Sequence, residues 1–181
     1  MYRVLIVDDD LTVRIRLKNL ISWELLECEI VGEAAHGLEA IALLDTVQPD
    51  IVITDIYMPG MNGVDLIHYI REQASEIYVL ALSAYDDFDY VRNSLRYGAF
   101  DYLLKHQLTA SRLEQILEEA TTYLGKRREG KKERKERLEE KTVLEDLLKH
   151  SGRQEEPGEM RYFLLAAGQI ADGKDLENLE H

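Results

Sequence analysis

A chain of 181 residues carrying 22 Lys and Arg against 35 Asp and Glu, net charge −13, has room for one well-buried domain and an extension, not for two full domains. An acidic surface repels phosphates instead of releasing their counterions, which argues against a free-standing nucleic-acid binder. One cysteine, Cys28, cannot close an internal disulfide and fits a reducing cytosol, and no apolar run approaches the length of a bilayer span, so a soluble, cytoplasmic protein without membrane contact is expected.

The first 124 residues alternate short apolar runs with longer amphipathic ones. Tyr2–Val7 is a β-rich run that ends on Asp8, Asp9 and Asp10, and Leu11–Ile21 follows with helical spacing through Leu11, Ile15, Leu17, Leu20 and Ile21. Asp10 has the position of a helix N-cap. Glu29–Glu33 reads as a second strand, with Cys28 a small hydrophobe beside it, and Gly37–Val47 as a helix with one apolar face. The third strand, Asp50–Thr54, leads to Asp55 and a turn-rich loop, Tyr57-Met-Pro-Gly-Met-Asn-Gly63. Val64–Arg71 is the next helix, Ile77–Leu82 a strand stopping at Ser83, and Asp87–Tyr97 a helix closed by Gly98 in the left-handed cap position. Phe100–Leu104 is a fifth strand stopping at Lys105, and Ser111-Arg-Leu-Glu114 resembles a capping box opening a last helix through Leu124.

Five strands alternating with five helices predict an α/β fold: a doubly wound, five-stranded parallel sheet of flavodoxin-like type, covered on both faces. The acidity belongs to this block, since residues up to 125 carry 9 basic against 21 acidic side chains, while 126–141 carry 9 against 5. Gly125 and Gly130 are expected to bracket a break. The predicted organisation is a domain over 1–124, a charged helical linker over 125–160, and over 161–181 the start of a following domain or a disordered tail.

Ligands of an open parallel sheet sit outside the carboxyl ends of its strands. There the sequence places Asp8 and Asp9, Asp55, Ser83 and Lys105, one group per strand end. Converging carboxylates are unfavourable unless a cation or a proton neutralises them, and an oxygen-only donor set without His or Cys suits a hard ion such as Mg2+. A carboxylate can also attack phosphorus and hold the product as an acyl phosphate, with Mg2+, the Lys105 ammonium and the Ser83 hydroxyl neutralising the phosphoryl oxygens. Taken singly, each of these residues is ordinary: an acidic run caps a helix, Asp and Ser make turns, and a lysine is a solvated charge. Their joint placement favours the functional reading.

Val4-Leu-Ile-Val-Asp-Asp9, Asp55-Ile-Tyr-Met-Pro-Gly-Met-Asn-Gly63, Leu82-Ser-Ala84 and Tyr102-Leu-Leu-Lys105 resemble the signature segments of two-component response-regulator receiver domains, in order and over about residues 1–124. The resemblance implies that Asp55 is the phosphoacceptor and that Asp9, Asp55 and the Tyr57 backbone carbonyl bind Mg2+ directly, with Asp8 acting through water. It makes Ser83 and Tyr102 the switch pair and Lys105 the phosphate-contacting lysine. The stretch from Ser83 to Lys105 is similar to receivers of regulators with an AraC-type helix-turn-helix output, which these 181 residues do not include. The implied partners are a sensor histidine kinase, a second copy on phosphorylation through the fourth helix, fifth strand and fifth helix, and DNA only through that output. The implied role is signalling, with the domain assisting its own phosphorylation and dephosphorylation but not acting as an enzyme.

Two residues depart from the pattern. His106 stands where the family usually has a cis proline, and a cis bond to a non-proline residue costs about 2.5–4 kcal/mol. A trans Lys105–His106 bond, a rearranged loop with a displaced Lys105, and a solvent-exposed His106 are therefore expected. Tyr57, two residues past the phosphoacceptor, is expected to slow the approach of water to the acyl phosphate. Two rival readings remain. Asp8-Asp-Asp10-Leu-Thr12 also fits the nucleophile motif of haloacid-dehalogenase-like phosphatases, with Asp8 as nucleophile and Asp10 as acid/base, although the later acidic motif is missing. A phosphorylation-independent, receiver-like binding module is the other.

Overall fold

The computed structural model describes residues 1–73, 76–84 and 96–151. Five strands, β1 (Tyr2–Val7), β2 (Cys28–Ala34), β3 (Ile51–Asp55), β4 (Tyr78–Ser83) and β5 (Asp101–Leu104), form one parallel sheet in the order β2-β1-β3-β4-β5. Helices α1 (Leu11–Leu20), α2 (Gly37–Val47), α3 (Gly63–Glu72) and α4 (Ala110–Ser151) accompany it, with short 3-10 turns at Trp23–Leu26 and Lys105–Gln107. The predicted flavodoxin-like fold is thus present. The helix expected over Asp87–Tyr97 falls largely outside the described residues, but Gly98, its expected cap, has φ +105°. An added Cβ there would also lie 2.6 Å from Cγ of Arg71.

The two-residue period of a strand divides each apolar run between two cores. Val4, Ile6, Ile51, Ile53, Leu80 and Leu82 face one layer with Leu17 of α1 and Leu113, Ile116, Leu117 and Leu124 of α4. Leu5, Val7, Val52, Val79 and Ala81 face the other with Ala40 of α2 and Leu66, Ile67 and Ile70 of α3. Burial on both faces explains why the central strands read as unbroken apolar runs instead of alternating ones. Of the apolar residues that gave α1 its helical spacing, Leu17 is buried, whereas Leu11 and Ile15 are exposed.

Local chemistry sets the helix starts. Asp10 caps α1 as expected, accepting from the Thr12 N–H at 2.7 Å, and Asn62 caps α3 by accepting from the Asp65 N–H at 2.9 Å. The expected capping box at Ser111 is displaced by two residues: Thr109 Oγ1 accepts from the Arg112 N–H at 3.3 Å, and Ser111 lies inside α4.

The break expected at Gly125 and Gly130 does not occur, for α4 runs through both. A helical glycine costs only about 1 kcal/mol relative to alanine, a deficit that strong helix formers on either side can carry. Gly125 also has a packing reason, since a Cβ there would lie 3.2 Å from the Tyr2 hydroxyl. The chain divides into two units, Met1–Arg127 and a second beginning at Arg128. In the second, residues 128–146 are exposed and helical, with ion pairs such as Lys132–Glu136 at 3.8 Å and Lys135–Glu139 at 3.7 Å. Residues 161–181 lie outside the described part.

Candidate functional site

The strand ends converge as the topology requires. β1 delivers Asp8 and Asp9, β3 ends on Asp55, β4 ends on Ser83, and Lys105 follows β5 directly. Asp8, Asp55 and Ser83 are buried, whereas Asp9 is exposed. Asp8, Asp9 and Asp55 each offer a carboxylate oxygen, and these oxygens lie within 4.8 Å of one another. Lys105 reaches into the group from β5. Its Nζ donates to Asp55 Oδ2 at 2.8 Å and stands 2.8 Å from Asp8 Oδ2 as an ion pair.

The electrostatics follow from that crowding. Burial pushes the Asp8 carboxyl above the ordinary carboxylate range, against the opposing attraction of Lys105. Burial by itself would lower the Lys105 ammonium, but its contacts with Asp55 and Asp8 outweigh that and hold it above the usual lysine range. Asp8 Oδ2 is a fully buried oxygen whose contact among the described residues is the ion pair with the Lys105 ammonium. Such an atom, beside two further carboxylates and no nitrogen or sulfur ligand, makes the pocket compatible with a hard divalent cation.

Main-chain bonds fix the acidic side chains. Asp8 Oδ1 accepts from the Asp10 N–H at 2.9 Å, and Asp55 Oδ1 accepts from the Tyr57 N–H at 3.3 Å. Asp10 itself turns away to cap α1, and that bond from Thr12 holds its carboxyl below the usual range. The acid/base role that the phosphatase reading gives Asp10 therefore has no counterpart in the carboxylate group. Tyr57 is half-buried and packs against the α2–α3 core with Tyr102. Tyr102 pairs with Ala81 and Leu104 with Ser83, so Tyr102 and Ser83 lie two registers apart on one face of the sheet.

Around His106 the structure divides the expectation. The Lys105–His106 bond is trans, the loop forms a 3-10 turn over Lys105–Gln107, and His106 is exposed. Lys105 is not displaced. It is the first residue of the turn, directly after β5, and two carboxylates hold its ammonium.

Two contributors to the site were not singled out from the sequence. Thr54, buried in β3, donates its hydroxyl to the Asp55 carbonyl at 3.0 Å. Gly63, read as loop punctuation and as the last residue of the Asp55–Gly63 signature segment but given no role, packs against the same carbonyl: an added Cβ would lie 2.0 Å from Asp55 O and 2.9 Å from Cα of Ile56. The Gly63 N–H also bonds Ile56 O at 3.0 Å, so the Tyr57–Gly63 loop folds back under the acidic residue it follows. The sequence signalled this through a glycine eight residues after an acidic strand end, closing the Asp55–Gly63 segment.

A doubly wound sheet with three carboxylates and an ammonium over its carboxyl edge is the architecture of a phosphoacceptor signalling domain. The response regulator receiver domain family matches residues 4–118, and the chain belongs to it. An uncharacterized response regulatory protein of Staphylococcus epidermidis is 41% identical over 118 residues, 65% of this chain and 46% of that protein. The transcriptional regulatory protein HptR of Staphylococcus aureus is 40% identical over 117 residues, 65% of this chain and 45% of HptR. The chain spans less than half the length of these curated relatives. Among solved structures, the receiver domain of AraT, a response regulator from Geobacillus stearothermophilus, superposes with TM-score 0.66 at 31% identity, covering 70% of this chain and 98% of that one. A CheX–CheY complex with BeF3 and Mg2+ from Borrelia burgdorferi gives 0.57 at 29%, covering 63% and 84%.

The chain is therefore a receiver domain of a response regulator, followed by a charged helical extension, and its role is phosphorylation-activated signalling. No helix among the described residues is long and apolar enough to cross a membrane.

Proposed function

We propose that Asp55 accepts a phosphoryl group from a phosphohistidine of a sensor histidine kinase and that the modified domain switches a transcriptional output. An Asp55 carboxylate oxygen attacks phosphorus, the phosphorus–nitrogen bond breaks, and its electron pair returns to the imidazole, leaving an acyl phosphate. Asp9, Asp55 and the Tyr57 carbonyl would hold Mg2+ directly and Asp8 through water, and the ion when bound supplies charge neutralisation at the phosphoryl group. Lys105 contributes a second positive charge and Ser83 a hydroxyl donor. The observation that carries this reading is the Lys105 ammonium at 2.8 Å from Asp55 Oδ2 inside a cluster of three carboxylates.

Ser83 moves toward the new phosphoryl oxygens, and Tyr102, half-buried on the same face of the sheet, turns into the space it leaves. The surface so altered, around β5 and the helices flanking it, then pairs with a second copy. An AraC-type DNA-binding output in the parent protein would thereby meet two half-sites, in the cytoplasm and without membrane contact. Tyr57 slows the hydrolysis of the acyl phosphate. The domain assists both phosphorylation and dephosphorylation without turning over an external substrate.

The test is incubation of the full chain with acetyl phosphate and Mg2+, followed by phosphate-affinity electrophoresis and sizing by sedimentation. The wild type is expected to gain one base-labile phosphate and to shift toward a dimer. A folded protein that takes up no phosphate would favour the binding-module reading.

A further inference from the structure

We infer that Arg14 is a positioning residue for the divalent-cation site, fixing the peptide from which the Asp8 and Asp9 carboxylates both project. This rests on the reading that Asp8, Asp9 and Asp55 hold Mg2+.

At the end of β1 the chain must leave the sheet while still directing two carboxylates. The last ladder partners of Val7 are Ala34 on β2 and Thr54 on β3. The Asp8 N–H still reaches the Ala34 carbonyl at 3.1 Å, but the Asp8 carbonyl lies past both ladders in a residue with no exposed surface. Arg14, one turn into α1, supplies the donor: its Nη1 bonds the Asp8 carbonyl oxygen at 2.6 Å. Because the peptide is planar, fixing that carbonyl fixes the Asp9 N–H and the direction in which Asp9 leaves it.

The guanidinium is itself anchored. Nε donates to Glu33 Oε2 on β2 at 3.3 Å, Glu33 is held from its other oxygen by Lys18 Nζ at 2.6 Å, and the Arg14 side chain is only 15% exposed. One planar fork thus joins α1, β2 and the acidic turn through two donors held in fixed relative geometry. Groups that orient metal ligands in this way, without touching the metal, typically control its affinity by about 10- to 100-fold.

Charge and position make opposite predictions here, which makes the inference testable. Removing a cation near a cation site should tighten Mg2+ binding if charge is what matters, and weaken it if position is. Calorimetric titration of the full chain with MgCl2 compares wild type, Arg14→Ala, Arg14→Lys and Lys18→Ala, the last of which loosens Glu33 without touching Asp8. The expected result is a Kd raised about tenfold by Arg14→Ala, raised less by Arg14→Lys, and raised least by Lys18→Ala, which loosens the anchor and leaves the Arg14–Asp8 bond in place. An equal or tighter Kd in Arg14→Ala, or an equal weakening in Lys18→Ala, overturns the inference. Should Arg14→Ala fail to fold, Arg14→Lys decides alone, and a Kd within about twofold of wild type overturns it. A wild type that gives no Mg2+ binding at all overturns the cation reading itself, a result separate from any effect of Arg14.

Discussion

Lys105 Nζ lies 2.8 Å from Asp55 Oδ2, joining residues 50 positions apart in the chain across the ends of β3 and β5, with β4 between them. The same ammonium stands 2.8 Å from Asp8, so one positive charge balances two buried negative ones. Its removal by Lys105→Met would leave the carboxylates facing each other without a counter-charge. Breaking a buried pair in this way costs about 3–5 kcal/mol. Urea unfolding in metal-free buffer should show a loss of that order, and added Mg2+ should recover part of it. A variant as stable as wild type without metal would show that Lys105 is not what offsets the negative charge of the pocket.

Gly63→Ala should damage the Tyr57–Gly63 loop although Gly63 carries no chemistry. Its Cβ would meet the Asp55 carbonyl at 2.0 Å, and that neighbour is backbone which cannot rotate away. The expected loss of stability is about 3 kcal/mol, the upper end of the range for overpacking. Wild-type stability in this variant would mean that the loop relaxes freely.

Cys28 is fully buried at the start of β2, and that burial pushes its thiol up to about 11. A raised folded pKa leaves stability intact below the unfolded value, about 8.5, and removes it as pH rises toward the folded one. The unfolding free energy should therefore fall across that alkaline window, and Cys28→Val should flatten the fall. At pH near 8 the native thiol should resist iodoacetamide, while protein in urea reacts readily. Rapid alkylation of native protein would contradict this account.

The two glycines of α4 should respond differently to alanine. A Cβ at Gly130 meets open space, so Gly130→Ala is expected to stabilise the helix by about 1 kcal/mol, read as increased helicity by circular dichroism. At Gly125 the gain is offset by crowding against Tyr2 Oη at 3.2 Å, and little net change is expected. Equal gains at both sites would mean that the Tyr2 contact carries no weight.

These positions also mark where sequence reasoning reached and where it stopped. Strand and helix order was legible because runs such as Leu5–Val7 and Ile51–Thr54 are apolar on both faces and end on charged or hydroxyl side chains. The site was legible for the same reason, since a parallel sheet brings strand ends together whatever their separation in sequence. What depends on three-dimensional approach was not. Gly63 looks like any loop glycine until the Asp55 carbonyl lies against it, and Gly125 looks like a helix breaker until Tyr2 and the buried Leu124 fix its surroundings. Lys105 was expected to shift because the proline substitution was weighed alone, without the attraction of two buried carboxylates. The cap was read at Ser111, whereas Thr109, two residues earlier and directly before Ala110, accepts from the Arg112 N–H.

The central claim is that Asp55 carries the phosphoryl group. Protein treated with acetyl phosphate and Mg2+ can be reduced with borohydride, which converts an aspartyl phosphate to homoserine, and then mapped by peptide mass spectrometry. Reduction at position 55 alone, absent from a folded Asp55→Asn variant, is the predicted result. Reduction at Asp8, or undiminished phosphate uptake by Asp55→Asn, would contradict it.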